Sequence, residues 1–413
     1  MKHAIIALSL ILLLHGPVRA QTSFQIGISV HLGSDPGMTA RQLDLIAQAG
    51  ASSIRDDVSW DSVEQRKGHL AVPSGIEDEV NQSLQSRLEP LLILDYGNRF
   101  YDAGAKPTSP EALSAFARYA AFIVGHFKGR VHFYEMWNEW NLTAGNTRSG
   151  TPEEYVRFIR VVYPAVKAVD PSAVFLAGAI GGGSRLDWLS AMLSAGAQGY
   201  FDGLSIHPYN FGKSPGTGDA WAQDMVATED VIHRYTAGRD LPLYVTEIGW
   251  PTYGGISREA AGAYLAQMFL LARTLKFLKG IWWYDFRDDG WDKKNQENDF
   301  GLVGPDLTSK PAFTALKTVA PIVRDALQVE DLPTGNPSVR ALRFRLDGSN
   351  QVLALWNTGQ TATRLRVAGS GPLQVRSVEA NDSHGTDTSA KERKIRLSYI
   401  PMLVTGMNLE IVR

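Results

Sequence analysis

The chain has no cysteine among its 413 residues, so neither a disulfide nor a thiolate metal centre can stabilise it, and an apolar core must hold the fold unaided. Net charge is almost absent as well: 41 basic residues stand against 43 acidic ones, with no run of like charges. The electrostatic footprint that nucleic acid or an anionic membrane surface requires is therefore missing, and neither is expected as a partner. There is no low-complexity tract. The one conspicuous apolar run, Ala4 to Leu14, is too short to span a bilayer. It follows Lys2 and His3 and leads through Gly16-Pro17 to Val18-Arg19-Ala20, the pattern of a cleaved secretory signal over residues 1–20. No cysteine follows it, which excludes a lipid anchor. A periplasmic or secreted bacterial protein is expected, without stable membrane insertion after signal cleavage.

What is present is a regular alternation. Short β-like runs fall at 25–33, 51–58, 89–97, 131–139, 173–180, 202–209, 241–249 and 279–286. Between them lie stretches with helical apolar spacing, among them Thr39–Ala49, Pro110–Phe127, Thr151–Asp170, Leu186–Ala195, Trp221–Tyr235 and Ser257–Leu278, several opened by Ser, Thr or Pro. Eight such repeats, closed by a helix at Pro311–Leu327, predict an α/β fold, a (β/α)8 TIM barrel over residues 21–328. The rival open sheet would carry a glycine-rich phosphate turn after its first strand, and none is there. From 329 to 413 the pattern becomes short alternating runs (339–346, 351–358, 363–369, 373–380, 394–399, 408–413), the signature of a small antiparallel β domain of sandwich type with one wet face.

In such barrels, chemistry sits at the carboxyl ends of the strands. Glu139 ends the fourth run and Glu247 the seventh. Either acid alone reads as a solvated or ion-paired strand end. Together, in register with the strands, they can flank a bound sugar. Hydrolysis of a glycosidic bond needs one carboxylic acid to protonate the departing oxygen and a second carboxylate to attack or to activate water. Other strand ends supply Arg55, Asp57 and Trp60; Tyr96 and Asn98; His207 and Tyr209; and Trp282, Trp283 and Asp285. An Arg and a Tyr aimed at one carboxylate would keep it ionised, as a nucleophile requires. Trp137 and Trp140 around Glu139 would give a drier setting that favours the protonated acid. Glu135 shares the register of Glu139 but lies lower, where a structural acid is expected.

The ordered set IRDDVSW (54–60), WNE (137–139), IHPY (206–209), TEIGW (246–250) and WWYDF (282–286) resembles the glycoside hydrolases of clan A. Within it, WNEWNL, RDDG (287–290), DFGLV (299–303) and KPAF (310–313) are most like family 39 and bacterial exopolysaccharide-degrading endoglycosidases. The resemblance spans about residues 24–327. It implies a retaining, endo-acting enzyme on β-glycosidic bonds of a polysaccharide or oligosaccharide, with Glu139 as acid/base, Glu247 as nucleophile and Asn138 bonding the sugar 2-hydroxyl. Arg55 and Tyr209 would surround the nucleophile. Trp60, Tyr96, Trp140 and His207 complete the expected substrate-binding set. Period-two alternation does not decide whether Trp282 or Trp283 faces inward; Trp283 is taken as the subsite floor. Trp140 stands where family 39 commonly has proline.

His31 and His207 lack the spacing of a metal motif, so no metal and no cofactor are expected. Trp188, Trp221, Tyr253 and Trp291 lie near loops that follow strands, where they could pack or stack on sugars. Trp356, the single tryptophan after residue 328, reads as core, which favours a capping role for the β domain over a binding one. A monomer is expected. The reading from another class is an inactive barrel that binds polysaccharide or serves as a matrix scaffold.

Overall fold

The computed structural model describes residues 24–34, 36–145, 148–379 and 390–412. The expected signal peptide lies outside the described residues, as do the last residues of two expected strands, Ala380 and Arg413. Eight parallel strands follow one another around a closed barrel: β1 (Gln25–Ser29), β2 (Ser53–Ser59), β3 (Glu89–Asp95), β4 (Phe133–Met136), β5 (Val174–Ile180), β6 (Gly203–Ile206), β7 (Leu243–Ile248) and β8 (Leu278–Trp283). Each pairs with the next, and β8 returns to β1 with Trp283 opposite Ile28. Around them stand α1 (Thr39–Gln48), α2 (Trp60–Val63), α3 (Ser74–Gln85), α4 (Pro110–Phe127), α5 (Pro152–Val169), α6 (Leu186–Ser194), α7 (Thr217–Thr236), α8 (Arg258–Ala272) and α9 (Pro311–Asp325).

Local chemistry explains why several helices begin where the sequence says. Ser109 accepts from the Ala112 amide ahead of Pro110, and Thr151 and Glu154 form a reciprocal capping box ahead of Pro152, so orphan amides of α4 and α5 are satisfied within their first turns. The α3 helix was not among the expected segments. Its sequence, SGIEDEVNQSLQ, carries only a thin apolar stripe (Ile76, Val80 and Leu84, four residues apart) and its first turn makes no side-chain cap, so its signal is weaker than those of α4 and α5.

Strand alternation sorts side chains into two shells. Leu91, Ile93, Phe133, Leu176, Tyr244 and Trp282 form a separate apolar cluster, while their chain neighbours Leu92, Tyr134, Phe175, Val245 and Trp283 belong to the large core that includes the helices. Trp282 thus plugs the barrel interior, its Nε1 donating to Ser53 Oγ at 3.0 Å. Gly27 makes room for it: a Cβ there would stand 1.9 Å from the indole ring.

At Gln328 the architecture changes. Strands β9 (Gln328–Asp331), β10 (Val339–Arg345), β11 (Asn350–Asn357), β13 (Gln374–Ser377) and β15 (Met402–Met407) form a five-stranded sheet, and β12 (Thr363–Ala368), β14 (Glu392–Leu397) and β16 (Glu410–Val412) a three-stranded one. The strands β9 and β15 were not expected; β9 is short with exposed ends, and β15 contains Gly406. One face of the larger sheet (Ala341, Leu353, Leu355) packs on Leu365, Val367 and Ile395 of the smaller one. The other face (Leu342, Phe344, Ala354, Trp356) joins the barrel's own core. Trp356 is fully buried there, and the ion pair Arg340–Asp219 adds a tie across the junction. Among the described residues, no helix is long and apolar enough to cross a membrane.

Candidate active site

The strand ends surround a cavity of about 430 Å³ at the mouth of the barrel. Its lining includes Arg55, Tyr96, Asn138, Glu139, Tyr209 and Glu247. At its floor is Arg55, 3 % exposed, whose guanidinium has three close partners and a longer contact, 3.4 Å, with His207 Nε2. Nε bonds Glu135 at 2.8 Å, Nη1 bonds Glu247 at 2.9 Å, and Nη2 bonds the Asn138 side-chain oxygen at 2.9 Å. Glu135 is fully buried and its other oxygen accepts from Thr246 Oγ1 at 2.8 Å, so it is a structural acid that holds Arg55 in place. Asn138 in turn donates to the Tyr96 hydroxyl at 2.8 Å.

Glu247 lies at the end of β7 with each carboxylate oxygen claimed. Oε2 receives Arg55, and Oε1 accepts from the Tyr209 hydroxyl at 2.7 Å. Burial works against its charge, but His207, Arg55 and Tyr209 outweigh it and hold the carboxyl below its ordinary range. Tyr209 itself stays a phenol, because burial and the neighbouring Glu247 charge push its ionisation well up.

Glu139 reaches the site by a different route. The alternation of β4 breaks after Met136, with positive φ at Trp137 (71°) and Glu139 (49°). Non-glycine residues persist in that region only where their surroundings over-determine them, at about 1–3 kcal/mol each. Here Trp137 N bonds Leu94 O and Glu139 N bonds Ala179 O. The break sends Trp137 outward and Asn138 inward, so Trp137 does not share the face of Glu135 as alternation implies. The Glu139 carboxylate packs against Gly181, where a Cβ would lie 2.1 Å from Oε1. Only glycine allows that approach, and the exchange of two hydrogen bonds between Gly181 and Asn141 fixes the backbone.

His207, buried at the end of β6, places Nδ1 3.0 Å from Glu139 Oε1 and 3.7 Å from Glu247 Oε2. Burial opposes protonation, and Arg55 adds to that, but the two glutamates prevail and the imidazole pKa is raised. One oxygen from each glutamate and a His207 nitrogen all lie within 4.8 Å of one another.

Four expected binding residues do not line the cavity: His207 is fully buried behind the two glutamates, and three others lie elsewhere. Trp60 is fully buried, stacked on Tyr101 at 5.0 Å, with its Nε1 bonded to Glu64. Trp140 is fully buried between Trp137 and Phe158, beneath the loop rather than in the cleft. Trp283 points away from the barrel axis and stacks on Trp250 at 6.1 Å. The eighth-strand residue that does line the cavity is Tyr284, one place further on and in phase with Trp282. Nor do Trp137 and Trp140 dry the Glu139 carboxyl, whose nearest polar neighbour is His207. Trp188 and Trp221 are packing residues, while Trp291 is 69 % exposed and Tyr253 37 %. The cavity also includes His31, Asp56, Asp57, Phe211, Glu297 and Phe300. His31 and Tyr284 could have been found by extending strand phase; Phe211, Glu297 and Phe300 lie on loops whose paths no periodicity encodes.

No protein-family model matches the sequence, and no curated protein matches it. Solved structures do. A family 39 glycoside hydrolase from Bacteroides cellulosilyticus WH2 is 26 % identical, with 93 % of this chain and 81 % of that one covered at a TM-score of 0.79. The family 39 enzyme of Xanthomonas axonopodis pv. citri is 16 % identical at TM-score 0.66, covering 94 % of both chains. A family 39 β-xylosidase from Caulobacter crescentus is 18 % identical at 0.65, covering 93 % of this chain and 96 % of that one. The last two likenesses speak to fold alone.

Proposed function

We propose that this chain, a glycosidase similar to the family 39 enzymes of clan A, cleaves β-glycosidic bonds within a polysaccharide with retention of configuration. The observation that carries this reading is the approach of Glu139 and Glu247 oxygens to within 4.8 Å. Retaining enzymes hold their carboxyls about 5–5.5 Å apart, whereas inverting ones leave about 6.5–9.5 Å for a water between them.

In the first step Glu247, ionised and held by Arg55 and Tyr209, attacks the anomeric carbon while Glu139 gives its proton to the departing oxygen. In the second, Glu139 takes a proton from water, the hydroxide attacks the same carbon, and Glu247 leaves as carboxylate. Asn138, held between Arg55 and Tyr96, is placed to bond the sugar 2-hydroxyl. The barrel up to Ala326 is the catalytic unit and the β domain from Gln328 caps it, a role that the burial of Trp356 against the barrel supports. The chain acts outside the cytoplasm as a monomer.

A panel of neutral β-linked polysaccharides, with products sized over time, tests the reading. Early release of mid-length oligosaccharides is expected; release of monosaccharide alone would contradict endo action. Binding without any hydrolysis would favour a scaffold role.

A further inference from the structure

The loop after β8 carries aspartates that are unequally provided for. Asp288 is paired with Lys310 Nζ at 2.5 Å and accepts from the Gly301 amide at 2.9 Å. Asp285 is 1 % exposed, yet its Oδ1 has no hydrogen-bond partner among the described residues. A buried carboxylate oxygen without a donor is costly, and in a native structure it signals strain, function or a bound ion or water. One oxygen of Asp285, one of Asp289 and a ring nitrogen of His31 lie within 4.8 Å of one another. That span suits a single ion, because two ligands each about 2.0–2.4 Å from one centre stand at most twice that distance apart. The three come from opposite ends of the barrel sequence, His31 following β1 and the aspartates following β8, brought together by the β1–β8 closure.

We infer that His31, Asp285 and Asp289 form a divalent cation site on the rim of the sugar cavity. One imidazole nitrogen with two carboxylate oxygens suits Mn²⁺ or Zn²⁺ better than Ca²⁺ or Mg²⁺, which favour all-oxygen ligands. Three protein ligands leave positions open for water or sugar hydroxyls, and His31 itself lines the cavity. The inference does not depend on the glycosidase reading, since its test is binding of the ion.

Mn²⁺ is titrated into the purified chain and followed by electron paramagnetic resonance, with Zn²⁺ as competitor. Saturable binding of one ion is expected, weakened at least about tenfold in Asp289→Asn and in Asp285→Asn. Asp289 is exposed, so its variant reports on the ligand without burdening the fold. Glu247→Gln is expected to retain saturable binding of one Mn²⁺, which separates this site from the Glu139–His207–Glu247 cluster. Absence of saturable binding, binding that survives Asp289→Asn, or binding lost in Glu247→Gln would overturn the inference.

Discussion

Nδ1 of His207 lies 3.0 Å from Oε1 of Glu139 and 3.7 Å from Oε2 of Glu247, so one buried imidazole faces both carboxylates. Its raised pKa ties stability to pH. A histidine whose folded pKa exceeds its ordinary 6.5 adds stability that is complete below 6.5 and is lost as pH rises through the higher folded value. Glu247 has the opposite sign: lowered from 4.5, it adds stability above that value and loses it as pH falls through the folded one. Melting temperature against pH should therefore be greatest between those limits. His207→Gln should flatten the alkaline side and, because His207 helps to hold Glu247 ionised, weaken the acid side as well; an unchanged alkaline slope would show that His207 is not the group responsible.

The two glutamates should fail differently. Glu247→Ala removes the nucleophile and is expected to lower kcat by about 10⁴-fold or more. Glu139→Ala removes proton transfer, for a loss of about 10²–10⁴-fold that shrinks when the leaving group is an acidic phenol needing no proton. Steady-state rates on paired aryl glycosides with good and poor leaving groups distinguish the two; equal losses on both substrates in Glu139→Ala would contradict its role.

Gly181→Ala probes the approach beneath Glu139. A methyl group 2.1 Å from Oε1 must displace the carboxylate. The variant should behave as a weaker Glu139→Ala, with the deficit confined to poor leaving groups and a circular dichroism spectrum like that of the parent. Full activity would mean that the loop relaxes without moving the acid.

The tryptophans placed in the core should cost stability, not binding. Trp140→Ala and Trp60→Ala are expected to lose about 3–5 kcal/mol in denaturant melts. By contrast Tyr96→Phe removes only the acceptor for Asn138 Nδ2, and should lower kcat/KM by up to about tenfold with little change in melting.

These contrasts mark where sequence reasoning ran out. The barrel was legible because each strand run and most helices carried their own signals: the caps at Ser109 and Thr151, the apolar period of α5, the alternation of β10. Glu139 and Glu247 were legible because strand ends in a barrel share one rim. Trp60 and Trp140 were misplaced because each lies past its strand's end, where alternation no longer governs; for Trp140, positive φ at Trp137 and Glu139 restarts the phase. The β8 end shows the converse. Alternation held from Trp282 to Tyr284, so choosing Trp283 put the floor of the cavity on the wrong face. The thin stripe of α3 was overlooked, and the loop that brings Glu297 and Phe300 to the cavity depends on tertiary packing that short-range pattern does not encode.

The most direct measurement is proton NMR of the reducing end at the moment of its release, before mutarotation, from a β-linked substrate that the chain is found to cleave. Glu139 and Glu247 oxygens within 4.8 Å lie nearer the retaining separation than the inverting one, so the first anomer seen should be β, relaxing later to the equilibrium mixture. If the α anomer appears first, the two glutamates do not work by double displacement, and Glu247 is not the nucleophile.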